Sequence, residues 1–556
     1  MNTHFHQFAP GKIAGVLLVC LGTAIPVLSL TATVRSTTNA ARWVDNGSVT
    51  STSWSATANY LEIIPDSQYQ IIEGWGGCFG ERGWQAMKVL SQAGRDSVMR
   101  ALFDTSGCKF TYCRTPLGSN DYIIAPTIHP TLDDSAGDYD LTAFSIAQDK
   151  LYLIPYIKAA IVYQPGLRLW AIPWNCPNWL ISGMQNQVAK DMTTYAEYFK
   201  KYVLAYKAEG LNVVAVGLHN EPDINPGTPW NDGGTYGSGG QREAYWTRNY
   251  LGPLFAKDLP GVEMWLADYW HPDHLDNYIK PALNDAEANK YLSVVGVQSN
   301  HADWGTVIHT SYPSKRFIQC EAPPDDNSAT WGIGMNKFNN MYSYFSQWCN
   351  AYMQWNMVLD ETGSSNDGWL QGAMVHITQS AKRVNYTPHF YAVKHYSYYV
   401  APNARHIKTV DNAGFSGNKI AFRNPDGGVV LVFANTSGSA AQLTIKLGDQ
   451  KFQASVPATS MNTISIKQAA VAAKPAPVAV NAARPMTNGI FKVTNNRFRV
   501  PQALAGKSLS IAVYDCAGKI VRKSVIIGND GQRDANIGAA DGVYLVHVAA
   551  NVAGRQ

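Results

Sequence analysis

Short apolar runs alternate with amphipathic segments across the middle of the chain, and this alternation predicts a β/α architecture. In one amphipathic segment Met192, Tyr195, Phe199, Tyr202 and Tyr206 recur at steps of three and four, as on one face of a helix. Eight runs are typical of buried strands: 70–78, 110–116, 167–173, 213–218, 262–267, 292–297, 317–320 and 353–359. Eight such units predict a (β/α)8 TIM barrel over residues 71–399.

After the barrel the period changes from that of helices to two, which predicts strands. Residues 400–467 contain the run VVLVF after the turn PDGG, and they predict a side β-sandwich. Residues 43–70 are β-like but too short to fold alone, so we expect their strand or strands to complete that sandwich. The Ala/Pro/Val-rich segment 468–485 predicts a linker, and 486–556 a small C-terminal β domain.

The N-terminus is typical of an export signal. Lys12 precedes an apolar stretch, 13–30, and a cleavage region follows, so residues 1–32 are interpreted as a signal peptide. A membrane anchor is the alternative, but Gly22, Thr23 and Pro26 interrupt the stretch. We therefore expect a protein that is secreted, either released or attached to the cell surface, with no membrane span in the mature chain.

Composition narrows the function classes. The 556 residues carry a net charge of +4 with only 15% charged side chains, and no run of five basic residues occurs, which argues against nucleic-acid binding. The 16 tryptophans and 29 tyrosines suit either sugar stacking or core packing. No phosphate loop, dinucleotide motif or metal constellation occurs, so no cofactor is expected. We expect a monomer. Of the eight cysteines, Cys108 and Cys113 are close enough in sequence for a local bridge.

Two glutamates stand directly after predicted strands. Glu221 follows VVAVGLHN, and Glu321 follows RFIQC. Barrels place their chemistry at the C-terminal ends of the strands, and a pair of carboxyl groups there suits the cleavage of a glycosidic bond. The alternative is two glutamates that cap helices or form salt bridges.

Further motifs occur in a fixed order around these glutamates. They are GWGGCFG at 74–80, RTPLGSNDY at 114–122, PWNCPNW at 173–179, HNEP at 219–222 and QCE at 319–321, with WN at 355–356. With them, residues 43–467 resemble glycoside hydrolase family 30, which contains glucosylceramidases, β-1,6-glucanases and xylanases. The resemblance implies a catalytic barrel with a side sandwich and retention of anomeric configuration.

The resemblance also implies residue roles. Glu221 is the acid/base and Glu321 the nucleophile. Asn220 binds the sugar 2-hydroxyl or, alternatively, satisfies loop backbone. The other implied contacts to the sugar at the point of cleavage, the −1 subsite, are Asp121 as acceptor, Trp174 as apolar wall, Arg114 beneath the site and Trp355 on the floor, where core packing is the alternative.

The chain departs from the family at the end of strand six. The family has a tyrosine there that bonds the nucleophile, whereas this chain reads QSNHADW at 298–304. We expect His301 or a water molecule to replace that contact. Asp360 and Glu361, after the eighth strand, contact sugar hydroxyls or cap a helix.

The leading hypothesis is a secreted retaining β-glycoside hydrolase of the glucosylceramidase or β-1,6-glucanase type, with a β-linked oligo- or polysaccharide as substrate. Endo-β-1,4-xylanase is the runner-up, although residues 363–369 lack the Arg or Lys that the glucuronate-binding xylanases need. A hypothesis from another class is an inactive glycan-binding protein, which predicts a damaged carboxyl pair. The C-terminal segments YDCAGK and GVYLV resemble a type IX secretion sorting domain, and a plain β accessory domain is the alternative.

Overall fold

A computed structural model describes residues 30–124, 130–223, 227–231, 236–322 and 326–467, and beyond them the backbone of six strands. The chain divides into two compact units, one up to residue 469 and one from residue 470. The predicted linker and most of the predicted signal peptide lie outside the described residues.

The strands of the first unit are β1 Thr31–Thr37, β2 Val44–Thr50, β3 Thr52–Ser53, β4 Leu61–Ile72, β5 Gly74–Cys78, β6 Tyr112–Pro116, β7 Arg168–Ile172, β8 Val213–Gly217, β9 Glu263–Tyr269, β10 Leu292–Gln298, β11 Arg316–Glu321, β12 Cys349–Asn356, β13 Val358–Asp360, β14 Val375–Thr378, β15 Arg383–Tyr386, β16 Ala404–Asp411, β17 Lys419–Arg423, β18 Val429–Asn435, β19 Ala441–Leu447, β20 Gln450–Val456 and β21 Ser460–Lys467.

Its helices are α1 Glu81–Met87, α2 Gln92–Phe103, α3 Leu153–Ile161, α4 Asn178–Gln185, α5 Ala189–Ala208, α6 Gly239–Trp246, α7 Gly252–Asp258, α8 Lys280–Asn284, α9 Ala286–Asn289, α10 Trp304–Ser311, α11 Trp331–Phe345 and α12 Pro388–Ser397. Two π-helical turns, Thr247–Leu251 and Leu275–Ile279, precede α7 and α8.

Strands β5 to β12 close into a barrel of eight parallel strands, which confirms the predicted fold class. Its interior is packed with side chains, and Trp170 and Trp265 stack there with ring centroids 5.0 Å apart. The helices pack outside, as the periodicity predicted for α5, which buries Met192, Tyr195 and Phe199. The C-terminal ends of all eight strands therefore meet at one rim.

The side sandwich is built from ten strands in the order β2-β1-β21-β18-β17-β16-β4-β19-β20-β3. Both ends of the first unit contribute, because β1 pairs with β21 and β4 with β16. The N-terminal contribution to the sandwich begins at Thr31, before the range 43–70 that we expected. Ala32, which we assigned to the signal peptide, is buried in the sandwich core. The last residues of the predicted signal peptide therefore belong to strand β1.

The predicted strand 70–78 is two strands. β4 pairs with β16 in the sandwich as far as Ile72, and the barrel strand β5 begins only at Gly74. A continuous apolar run could not separate these strands because both are buried. The local bridge between Cys108 and Cys113 does not form. Both cysteines are free and buried, and they contact different elements: Cys113 contacts Gly77 on β5, and Cys108 contacts Ser397 on α12.

The second unit contains β22 Asn488–Val493, β23 Arg497–Arg499, β24 Leu509–Tyr514, β25 Ile520–Ile526, β26 Asp534–Asn536 and β27 Gly542–Ala550. Four of these strands form a sheet in the order β22-β27-β24-β25, and β23 pairs with β26. Within the described residues of the whole chain, no helix is both long enough and apolar enough to span a bilayer.

Candidate active site

A buried guanidinium group organises the rim of the barrel. Arg114, on β6, is fully buried and donates from Nη1 to both Asp268 Oδ2, at 3.0 Å, and Glu321 Oε2. Its Nη2 donates to Asn220 Oδ1. One cation on β6 thus joins residues at or just after the ends of three other strands, which places the expected Arg114, Asn220 and Glu321 in one cluster.

Backbone hydrogen bonds between neighbouring strand ends position the acid/base candidate. Glu221 N donates to the Asp268 carbonyl at 3.0 Å, Asp268 N donates to the His219 carbonyl at 2.8 Å, and Asn220 N donates to the Pro173 carbonyl at 2.9 Å. Glu221 itself adopts a φ of +46°, in the left-handed region that non-glycine residues rarely enter. The surrounding strand ends hold this conformation and direct the residue into the rim.

The two glutamates have different partners. Glu221 Oε1 accepts from Gln298 Nε2, a neutral amide, at 2.6 Å, whereas Glu321 is bonded to the guanidinium of Arg114. The Glu321 backbone is also fixed, because its N–H donates to Gln319 Oε1 at 3.3 Å and its carbonyl accepts from Ser299 N at 3.1 Å.

These different partners affect the pKa values of Glu221 and Glu321 differently. Burial raises the pKa of Glu221 to about 8, and the nearby charges of Glu321 and Asp121 add to the rise. Burial also raises the pKa of Glu321, but the charge and hydrogen bond of Arg114 oppose that rise. The backbone of Glu221 bonds Asp268, which shares Arg114 with Glu321, so both glutamates belong to one cluster. Arg114 favours the ionised form of Glu321, whereas the raised pKa of Glu221 favours its protonated form.

Asp121 and two tryptophans line the same site. Burial raises the pKa of Asp121 to about 7, with Glu321 as the next cause. Trp174 and Trp355 stack with centroids 5.6 Å apart and an interplanar angle of 26°. The Arg114 guanidinium lies 4.2 Å from the Trp174 ring centre. The expected sugar-contact residues Asp121, Trp174 and Trp355 therefore surround the charged cluster.

His301 does not make the contact that we expected with Glu321. Its ring stacks on Trp304 at 4.1 Å, and its Nε2 contacts the carbonyl of Trp270. The hydroxyl of Tyr344 accepts from His301 N at 3.1 Å and so fixes the backbone in this position. His301 therefore lies at the rim beside the end of β9, and Arg114 is the protein group that bonds the nucleophile candidate.

Two residues of the cluster were not anticipated. Asp268 is the penultimate residue of β9, is fully buried and shares the Arg114 guanidinium with Glu321. Gln298 ends β10 and bonds Glu221. Both could have been found by the rule that found the glutamates, since each polar residue follows an apolar run at a strand end.

Comparison with known proteins agrees with this architecture. The family model described as the glycosyl hydrolase family 30 TIM-barrel domain matches residues 72–400, and that of the family 30 beta sandwich domain matches residues 403–464.

Two curated relatives and one solved structure are similar to this chain. A putative glucosylceramidase 1 from Caenorhabditis elegans is 26% identical over 407 residues, covering 68% of this chain and 76% of the relative. The endo-1,6-beta-D-glucanase neg1 from Aspergillus fumigatus is 24% identical over 436 residues, covering 71% and 84%. The structure of the endo-beta1,6-glucanase BT3312 has a TM-score of 0.67 at 22% identity, covering 78% of this chain and 99% of that one.

Proposed function

The chain belongs to glycosyl hydrolase family 30, and on that premise we propose that it is a retaining β-glycosidase that cleaves β-linked glycans by double displacement. The observation that supports this most is the opposite pairing of two carboxyl groups in one site. Glu321 is bonded to a buried cation, and Glu221, raised to a pKa of about 8, is bonded to an amide.

In the first displacement the ionised Glu321 attacks the anomeric carbon and forms a glycosyl ester. Glu221 gives its proton to the leaving oxygen as the glycosidic bond breaks. Retaining enzymes hold the two carboxyl groups about 5–5.5 Å apart for this step. Arg114 keeps Glu321 ionised and oriented before the attack.

In the second displacement the now ionised Glu221 takes a proton from water, and the oxygen attacks the same carbon and releases Glu321. The roles can alternate because the ester removes the charge of Glu321, which lowers the pKa of Glu221. Asn220 contacts the 2-hydroxyl of the sugar and Asp121 accepts from other hydroxyls, while Trp174 provides an apolar wall.

Within the family we propose the glucosylceramidase or β-1,6-glucanase type. The motifs that contain Asp121 and Trp174 follow that branch, and the C. elegans and A. fumigatus relatives carry those two names. A xylanase is the alternative. The loop 363–369 lacks the basic residue that a glucuronate-bearing xylan would need.

Two assays test this function. Aryl β-glycosides establish whether the protein hydrolyses glycosides, and proton NMR of the first product shows its configuration. We expect a β-anomer; an α-anomer would contradict double displacement. Product analysis on glucosylceramide, β-1,6-glucan and xylan then identifies the substrate. An inactive glycan-binding protein would hydrolyse none of them.

We further propose that the protein is exported and that its C-terminal unit directs it to the cell surface. The apolar stretch that follows Lys12 and the YDCAGK and GVYLV segments support this. N-terminal sequencing of secreted protein from a bacterial host with type IX secretion tests the signal. Deletion of residues 486–556 should leave the enzyme inside the cell envelope; unchanged release would contradict the sorting role.

A further inference from the structure

An apolar pair is exposed on the loop that follows β13. Trp369 is 53% exposed and Leu370 is 56% exposed, and no other tryptophan in the described part of the chain is as exposed. Large apolar side chains that are held in solvent together mark a binding surface more often than scattered single ones do.

The loop is fastened to the −1 subsite. Gln371 Oε1 accepts from Trp355 Nε1 at 2.8 Å and from the Tyr122 hydroxyl at 3.0 Å. Asn366 N donates to the Asp121 carbonyl at 2.7 Å. Contacts on both sides of the apolar pair therefore tie the loop to residues that line the site of cleavage.

The loop is also braced internally. Trp369 N donates to Ser365 Oγ at 3.0 Å, and its carbonyl accepts from Ser365 N at 3.0 Å. Asp360 Oδ1 accepts from Thr362 N and Gly363 N at 2.9 and 3.2 Å, so Asp360 caps this turn. These hydrogen bonds involve only the backbone of Trp369, whose side chain remains about half exposed.

We propose that Trp369 and Leu370 form a second sugar-binding subsite that borders the −1 subsite. This inference rests on the proposed function. The ligand is a neutral pyranose ring of the same β-linked substrate, with one face of the ring on the indole plane. An exposed aromatic ring on a braced loop backbone suits this role because the loop loses little conformational entropy on binding.

The charges of the loop favour a sugar over a lipid surface. Residues 360–371 contain the acidic Asp360, Glu361 and Asp367 and no Lys or Arg. Anionic membrane surfaces attract basic segments and repel such a loop. Carboxylate and hydroxyl groups around an indole ring can instead accept from sugar hydroxyls.

The test compares substrates of increasing length. Wild-type protein and the Trp369→Ala and Trp369→Phe variants are assayed with β-linked oligosaccharides of two to six sugars and with an aryl glycoside of one sugar. We expect Trp369→Ala to lower kcat/KM on the longer oligosaccharides about tenfold and to change the aryl glycoside less than twofold. Trp369→Phe should fall between. Leu204→Ala, which removes a leucine that is 48% exposed on α5, is the matched control and should behave as wild type.

Calorimetry separates this inference from the proposed function. The same oligosaccharides are titrated into the Glu321→Gln protein with and without Trp369→Ala. A tenfold weaker affinity in the double variant supports the subsite even if the wild type hydrolyses nothing. If hydrolysis occurs but neither assay depends on Trp369, the subsite is wrong and the function stands. A loss confined to glucosylceramide in vesicles would also overturn the sugar subsite, in favour of lipid contact.

Discussion

Glu221 follows β8 and Glu321 ends β11 in the same barrel, but their carboxyl groups have opposite surroundings. Burial raises the pKa of both groups. The Arg114 guanidinium opposes the rise at Glu321, whereas the charges of Glu321 and Asp121 increase it at Glu221. The pKa shifts of the two groups therefore differ because Arg114, with a smaller contribution from Lys337, lies near Glu321, and not because of burial alone.

Arg114 also bonds groups other than Glu321. Arg114 bonds Glu321, Asp268 and Asn220, and burial raises the pKa of Asp268 to about 8 although Arg114 opposes the rise. Four carboxyl groups, those of Glu221, Glu321, Asp121 and Asp268, surround this buried charge, and the pKa of each is raised. Substitutions that change one group of this arrangement at a time can therefore test it.

Removal of the nucleophile should have the largest effect. Glu321→Gly is expected to lower kcat on aryl glycosides by at least about 10⁴-fold, because no other group forms the ester. Azide, which fits the vacated space, should restore turnover and yield an α-glycosyl azide, as product NMR would show. Full activity of the variant without azide would disprove the assignment.

The loss of activity on removal of the acid should depend on the leaving group of the substrate. Glu221→Ala is expected to lower kcat/KM by roughly 10²–10⁴-fold on natural glycosides, whose leaving oxygen needs a proton. On dinitrophenyl glycosides the loss should be much smaller because that leaving group departs as an anion. Steady-state kinetics on both substrates check this, and equal losses would argue against the acid role.

Arg114→Lys keeps the charge but loses the planar fork that bonds Asn220 and Glu321 together. We expect kcat/KM to fall roughly 10²-fold with the folded state retained, since a lysine cannot reproduce the second contact. Kinetics and thermal unfolding measure the two properties. The matched control Arg248→Lys, which changes an arginine paired with Asp285 at the outer helices, should be close to wild type. Similar losses in both variants would contradict a special position for Arg114.

The pH profile should show the smallest change. Activity requires a protonated Glu221, so kcat/KM is expected to fall as the pH rises through the Glu221 pKa of about 8. Because the Asp121 charge raises that pKa, Asp121→Asn should move the alkaline limb to lower pH. The position of the limb, rather than the maximal rate, is the measurement. A limb that moves to higher pH would contradict the arrangement.

The sequence was sufficient for the barrel and the sandwich, and it predicted that Glu221 and Glu321 follow strands at one rim. Each depends on a local pattern: apolar runs that end in Glu221 or Glu321, and a switch to period two after the barrel. The family resemblance supplied Arg114 and Asp121, which local pattern alone would not distinguish from a structural ion pair or a turn residue.

Contacts between distant segments were not predictable in this way. The role of Asp268 depends on a bond to Arg114, 154 positions away in sequence. The direction of the His301 ring depends on Trp270, and its backbone position on Tyr344, which belong to other parts of the barrel. The first strand of the sandwich was missed because residues 31–37, TATVRST, follow the apolar leader directly and contain no apolar run typical of a buried strand.

Covalent trapping tests the division of roles most directly. A 2-deoxy-2-fluoro β-glycoside with a good leaving group should inactivate the enzyme, and peptide mass spectrometry should locate one sugar on Glu321. A label on Glu221 or Asp268, or steady turnover with no trapped ester, would contradict the account.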